Sequence, residues 1–163
     1  VPGTSLGLYE QLQDAKLDAV IVVAPPFEVT KNIRSTVLRQ EPLCLITHSN
    51  VTSNIQGYLQ EQPYIRYDPQ SWGGRHAQAF IQQHKIEPKV LCDLDALETI
   101  NLLVAQELGC SLVPQWFNKD QLPATCFITP INNFQFARQI VLLMNIQVGK
   151  MNILKALENA LVK

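Results

Sequence analysis

The stretch from Val90 to Phe117, VLCDLDALETINLLVAQELGCSLVPQWF, constrains this chain more than any other, because it reads as strand end, capped helix, glycine stop and second strand. Asp95 is the expected N-cap, and Glu98 three residues on completes an acidic capping box that gives the first-turn backbone donors local acceptors. From Leu97 the apolar residues fall at Leu97, Ile100, Val104 and Leu108, with Leu103 beside them, which is one buried face at helical period. Gly109 is expected to stop the helix in the left-handed C′ conformation, and Cys110 to Val113 to run as a short buried strand ended by Pro114. A helix held between two strands is an α/β unit.

The rest of the chain can be arranged around it. Thr4 or Ser5 caps a first helix with Leu8, Leu12 and Ala15 on its buried side, and Lys16-Leu17-Asp18 turns the chain. Ala19 to Val23 is a continuous β-branched run suited to a parallel strand covered on both faces, ended by Ala24-Pro25-Pro26. Ser35 to Arg39 and Leu43 to Thr47 are short strands about Gln40-Glu41-Pro42, antiparallel or crossing between lobes. Asn54 to Gln60 reads as a short helix and Tyr64 to Tyr67 as a strand. Ser71 can cap a helix from Trp72 to His84 that places His76, Ala79, Phe80 and Gln83 on one face. Thr125 to Ile131 is expected as a strand returning towards the first lobe, and Phe136 to Met144 as a long apolar strand broken by Gly149. A last helix would put Ile153, Leu154, Leu157, Ala160 and Leu161 on one face and Lys150, Lys155, Glu158 and Lys163 elsewhere.

Composition excludes several function classes. With 163 residues, 47% hydrophobic and 17% charged, the chain can bury a real core. The formal net charge is −1 and no dense Lys/Arg run occurs, so this segment is not expected to hold a nucleic-acid backbone itself. No apolar run reaches a membrane span and the start VPGTS lacks the parts of a signal peptide, which leads to the expectation of a cytoplasmic domain with no membrane partner. Cys44, Cys92, Cys110 and Cys126 show neither CxxC nor His at ligand spacing and read as buried thiols, with no metal and no cofactor. His48, His76 and His84 lack a nucleophile at motif spacing and read as surface or helix-face imidazoles. Gly73-Gly74-Arg75 is too short for a phosphate loop and reads as helix entry.

The pattern LxxLVAQELGCSLVP resembles the LVAAGxGxxLVP signature of the effector-binding domain of LysR-type transcriptional regulators. Three further stretches agree in order and spacing: PGTSLGLYEQLQDAKLDAVIVV, VLRQEPLCLITHSN and PYIRYDPQSWGGRHAQAFIQQHKIEPKV. The resemblance implies an α/β, two-lobed fold of the type 2 periplasmic-binding-protein kind. Residues 1–31 would form a partial first lobe, 32–128 a second lobe and 129–163 the return to the first. It also implies that the first-lobe opening strand-helix-strand is missing from this chain, as are the helix-turn-helix and linker helix through which such a protein meets DNA. In that fold a small-molecule effector sits between the lobes, where strand ends and helix N-termini face each other.

On that resemblance Thr4 and Ser5 match the ligand-contacting Thr/Ser, and the segments from Tyr67 to Gly73 and from Asp95 to Leu97 are brought to the effector. The candidate contacts are therefore Thr4, Ser5, Pro25, Tyr67, Asp68, Ser71, Trp72, Gly73, Asp95, Leu97 and Gln115. Residue chemistry alone gives each a plain alternative: Thr, Ser and Asp capping their own helices, Trp72 and Tyr67 packed into their own lobe. Asp68 and Asp95 would oppose a strongly anionic ligand unless paired. Family dimers pair the first helix of one subunit with a second-lobe helix of the other, here Arg75 to His84. An exposed Ala19 to Val23 edge would add self-association. A transport-linked solute-binding protein of the same fold is the alternative; an enzyme would need a reactive cleft residue that the sequence does not offer.

Overall fold

The structure is a computed structural model that describes residues 1–51, 54–147 and 149–162, with the backbone alone of Lys119. In chain order the elements are α1 (Ser5–Gln13), β1 (Ala19–Val23), β2 (Ile33–Glu41), β3 (Leu43–Thr47), α2 (Ile55–Glu61), β4 (Pro63–Tyr67), α3 (Arg75–Gln83), β5 (Lys89–Leu94), α4 (Leu97–Ala105), β6 (Ser111–Pro114), β7 (Phe127–Pro130), β8 (Arg138–Asn145) and α5 (Met151–Leu161). They form two compact units, one of Val1–Gln40 with Gln139–Lys163 and one of Glu41–Arg138. The chain therefore passes between units twice, at Gln40–Glu41 and at Arg138–Gln139.

The first unit is a three-stranded sheet in the order β1, β8, β2. β1 pairs with β8 antiparallel, Ala19 opposite Met144 and Val23 opposite Ile140, so the expected parallel strand is antiparallel here. Nor is β1 covered on both faces: Leu8, Tyr9 and Leu12 of α1 are buried, whereas Ile21 is 49% exposed. Thr4 caps α1, its Oγ1 accepting from the Gly7 N–H at 3.2 Å. Ala15 lies beyond the helix at φ 53°, exposed and off the predicted face, and Tyr9 takes the buried place. On the other side Leu154 of α5 packs with Leu142 and Met144. Ile153, Leu157 and Ala160 face outwards, against expectation, because Glu158 takes an inward position. Its Oε1 accepts from the Thr36 hydroxyl and pairs with Arg34 at 3.1 Å. Lys163 lies outside the described residues.

In the second unit β3 pairs antiparallel with β6 and with β7, and β4 pairs parallel with β5. A parallel bridge from Tyr64 to Cys110 joins the two sets, reinforced by the Ser111 hydroxyl donating to the Ile65 carbonyl at 2.6 Å. The side-chain alternation of strands then fills two cores. Leu43, Leu45, Tyr64 and Leu112 meet Leu59 of α2 and Phe80 of α3, while Cys44, Ile46, Ile65 and Val113 meet Ile100 and Val104 of α4. β2 and β3 belong to different sheets, so their connection is a crossing and not a hairpin.

The central stretch departs from expectation in its caps. α4 starts at Leu97 with Ala96, in extended conformation, at the N-cap position and no side-chain cap bond; the chain bends at Asp95, one residue before the cap position, so Asp95 is not the cap. The helix ends at Ala105, the left-handed residue is Glu107 at φ 63°, and Leu108 is exposed. Gly109 is needed for close approach instead, since a Cβ there would lie 2.4 Å from the Pro63 carbonyl oxygen, and the Cys110 N–H donates to that same oxygen at 2.9 Å. α3 starts at Arg75, later than Trp72, and buries Ala77, Phe80 and Ile81 while Ala79 is exposed. β7 stays in the second unit's sheet, Phe136 sits in a short 3-10 turn, and the return strand is β8. Gly109→Ala should lower stability by about 1–3 kcal/mol through this backbone crowding. The check is the urea midpoint, and an unchanged midpoint would contradict the assignment.

Candidate functional site

Three strands of the second unit run the same way, β4 beside β5 and β4 bridged to β6, so their C-terminal ends share one edge. Loops at the carboxyl ends of parallel strands are where α/β folds place ligands. Tyr67 and Leu94 are cross-strand partners at the ends of β4 and β5, and the Asp68 N–H donates to the Leu94 carbonyl at 2.8 Å, which sets the 68–74 loop beside Asp95. Gln115 follows β6, its N–H donating to the Pro42 carbonyl at 2.7 Å, so Glu41 and Pro42 come to the same edge. Gln115 also lines a concavity of about 340 Å³ with Ala124, Cys126, Phe127, Ile128 and Pro130.

The 68–74 loop is built by its own hydrogen bonds. Asp68 accepts at Oδ1 from the Gln70 N–H (2.9 Å), and its carbonyl accepts from the Ser71 N–H (3.1 Å) and Oγ (2.7 Å). Ser71 Oγ in turn accepts from the Gly74 N–H at 2.9 Å. Ser71 thus holds this turn and does not directly cap α3. Glycine is required twice. A Cβ at Gly73 would lie 2.3 Å from the Tyr67 hydroxyl, and one at Gly74 would lie 1.9 Å from the Asp68 carbonyl oxygen.

Behind the loop lies a polar group that the sequence reading missed. Arg138, the first residue of β8, is buried and pairs through Nε with the carboxylate of Glu41, the last residue of β2 and also buried. Arg138 Nη1 donates to the Tyr67 hydroxyl at 3.2 Å. The available sequence signal was a charge at the head of an apolar run, ARQIVLLMN, and a second charge at the end of another strand. His76 is held below its usual range, at about 4, first by burial and then by the Arg75 and Arg138 cations. His48, His76 and His84 are all half-buried, and His76 lies on α3 with His84 at its C-cap.

The other candidates distribute unevenly. Trp72 is buried, and Leu97 is buried in the core of the second unit, so Leu97 has only its backbone to offer at the surface, while Asp95 is exposed. In the first unit Thr4 is exposed at the start of α1, and Ser5 Oγ accepts from the Val23 N–H at 3.2 Å, which ties the helix start to the end of β1 just before Pro25. The four cysteines are free thiols; burial raises Cys44 and Cys110 to about 12, so they remain protonated and unreactive. Among the described residues no group of three or more His, Cys, Asp or Glu could hold a metal ion, and no helix is long and apolar enough to cross a membrane.

Comparison with known proteins agrees with this architecture. The family model for the LysR substrate binding domain matches residues 1–146. The regulatory domain of CcmR from Synechocystis PCC6803, solved in complex with 2-PG, is similar at 20% identity over 97% of this chain and 80% of that one, with a TM-score of 0.75. A reduced form of OxyR from N. meningitidis is similar at 19% identity over 98% of this chain and 76% of that one, TM-score 0.76. The effector binding domain of QuiR in complex with shikimate is similar at 18% identity over 88% and 69%, TM-score 0.68. Among curated proteins no sequence match is found.

The half-buried His76 sets a pH dependence. Its folded-state value of about 4 lies below the ordinary 6.5. Between those values the unfolded chain binds a proton that the folded chain does not, so its contribution is full above about pH 6.5 and is lost as pH falls towards 4. His76→Gln should therefore lose less stability than the parent between about pH 7 and about pH 5. Urea midpoints at both pH values measure this; equal losses in the two proteins would contradict it.

Proposed function

The chain belongs to the LysR substrate-binding domain family, the effector-binding regulatory domain of LysR-type transcriptional regulators, and we propose that its effector contacts are drawn from Thr4, Ser5 and Pro25 in the first unit and Tyr67, Asp68, Ser71, Trp72, Gly73, Asp95, Leu97 and Gln115 in the second. A domain of this family is a sensing part of a transcription factor and not an enzyme. The observation that carries the residue assignment is the common edge of β4, β5 and β6, where the 68–74 loop, Asp95 and Gln115 gather. The exposed N-terminus of α1 adds backbone N–H groups and the Thr4 hydroxyl, which suit a carboxylate or other oxyanion. Because Glu41 already matches Arg138, affinity here comes from hydrogen bonds and not from a lone buried cation. Effector binding acts as a population shift, stabilising the arrangement it binds better, and DNA is reached only through a helix-turn-helix outside this chain. As part of such a regulator the domain works in the cytoplasm without a membrane partner.

The test is a thermal-shift panel of small carboxylates and phosphate esters, headed by 2-PG and shikimate from the CcmR and QuiR structures, followed by calorimetry on Thr4→Val. Loss of the cap costs about 1 kcal/mol of stability, so affinity is read well below melting. It should weaken about tenfold, which is about 1.4 kcal/mol; unchanged affinity would remove Thr4 from the site. We also propose a homo-oligomer, because β1 is a terminal strand of its sheet with Ile21 exposed, and α3 supplies the family's second-lobe contact face. Light scattering should show mass rising with concentration; a monomer throughout would exclude it.

A further inference from the structure

Tyr67 stands between two features that sequence numbering keeps far apart. On one side is the 68–74 loop, whose Gly73 approaches so closely that a side chain there would collide with the Tyr67 hydroxyl at 2.3 Å and the ring carbon that bears it at 2.9 Å. On the other is Arg138, whose Nη1 donates to that hydroxyl and whose Nε is paired with Glu41. Glu41 is the first residue of the second unit and Arg138 its last, so the ion pair closes the unit where the chain enters and leaves it. All three residues are buried, Tyr67 at 6%, Glu41 at 1% and Arg138 at 7% exposure, which leaves little room for one to move alone.

We propose that Tyr67 is a positioning residue that couples the 68–74 loop to both crossovers, its ring seating Gly73 and its hydroxyl orienting the Arg138–Glu41 pair. A displacement of the loop that shifts Gly73 pushes the ring, and the ring carries the acceptor of Arg138 with it. Packed groups of this kind move between discrete arrangements and do not bend continuously. The inference rests on the effector reading for the purpose of the loop, but its physical content is a coupling within the free protein. A ligand-free test therefore separates failure of the coupling from failure of the effector assignment.

The test is hydrogen exchange on the full chain for the parent, Tyr67→Phe, Gly73→Ala and the double variant. Three amides report: Gly74, bonded to Ser71 Oγ; Gln115, bonded to the Pro42 carbonyl beside Glu41; and Ala24, bonded to the Gln139 carbonyl next to Arg138. Tyr67→Phe keeps the ring and removes the acceptor, so exchange at Gln115 and Ala24 should rise about fivefold or more, a change of about 1 kcal/mol in local opening. Leu112, in the sheet core, should be unchanged. Gly73→Ala alone should raise exchange at all three reporters, and in the Tyr67→Phe background it should still act on Gly74 but add nothing at Gln115 or Ala24, which is the signature of a shared path. Equal rises at Leu112 and the reporters would make Tyr67 merely structural and overturn the proposal. So would additive effects of the two substitutions at Gln115 and Ala24. Should Gly73→Ala fail to fold, Arg138→Lys replaces it: it keeps the charge opposite Glu41 but loses the second donor, and must reproduce the Tyr67→Phe pattern or the proposal falls.

Discussion

The arrangement depends on one buried ion pair, Arg138 with Glu41, formed between residues 97 apart in sequence. A buried pair is expensive to assemble, and removing one partner alone strands a charge at a cost of about 3–5 kcal/mol. Its value is therefore specificity of position more than net stability. It pins the end of β2 and the start of β8 at the two places where the chain passes between units. The Tyr67 hydroxyl completes the group from the end of β4, and with it the pair becomes a fixed backing for the 68–74 loop.

That backing matters because β3 and β6, the central strands of the second unit, are buried along their whole length and present chemistry at their ends. α2 and α3 cover one face and α4 the other, and the small residue at Gly109 lets β6 close on the start of β4. What remains accessible at the C-terminal edge is a set of loops with satisfied internal hydrogen bonds. Ser71 and Asp68 spend their polar atoms on the turn itself, so the loop is shaped before any ligand arrives. The first unit is simpler, with its polar emphasis at the Thr4 cap and the Ser5 tie to β1.

The sequence carried the elements well where a single local force decides them. Ala19–Val23 is the strand its β-branched run foretold, and the short helix at Ile55–Glu61 and the strand at Leu43–Thr47 fall close to where they were expected. It failed where a distant partner decides. Asp95 looked like a cap, but the pairing of β5 with β4 runs to Leu94 and the chain bends at Asp95, which leaves Ala96 at the cap position. Gly109 looked like a helix stop, but the left-handed residue is Glu107 and the glycine answers to Pro63. Glu158 took an inward place that helical period alone gives to an apolar residue, because Thr36 and Arg34 receive it. For the same reason the Glu41–Arg138–Tyr67 group was not legible as a group: the sequence shows a charge at each of two strand ends, and only the fold brings them together with Tyr67. Family resemblance, in contrast, rested on the order of four stretches, and the family match over residues 1–146 upholds it.

The C-terminal ends of β4, β5 and β6 are the proposed place of the effector. The most direct measurement is hydrogen exchange mapped along the chain with and without a ligand found to stabilise it. Protection should concentrate in residues 68–74, 95–97 and about Gln115. Protection at the opposite strand ends, about Gln62, Pro88 and Gly109, would contradict it.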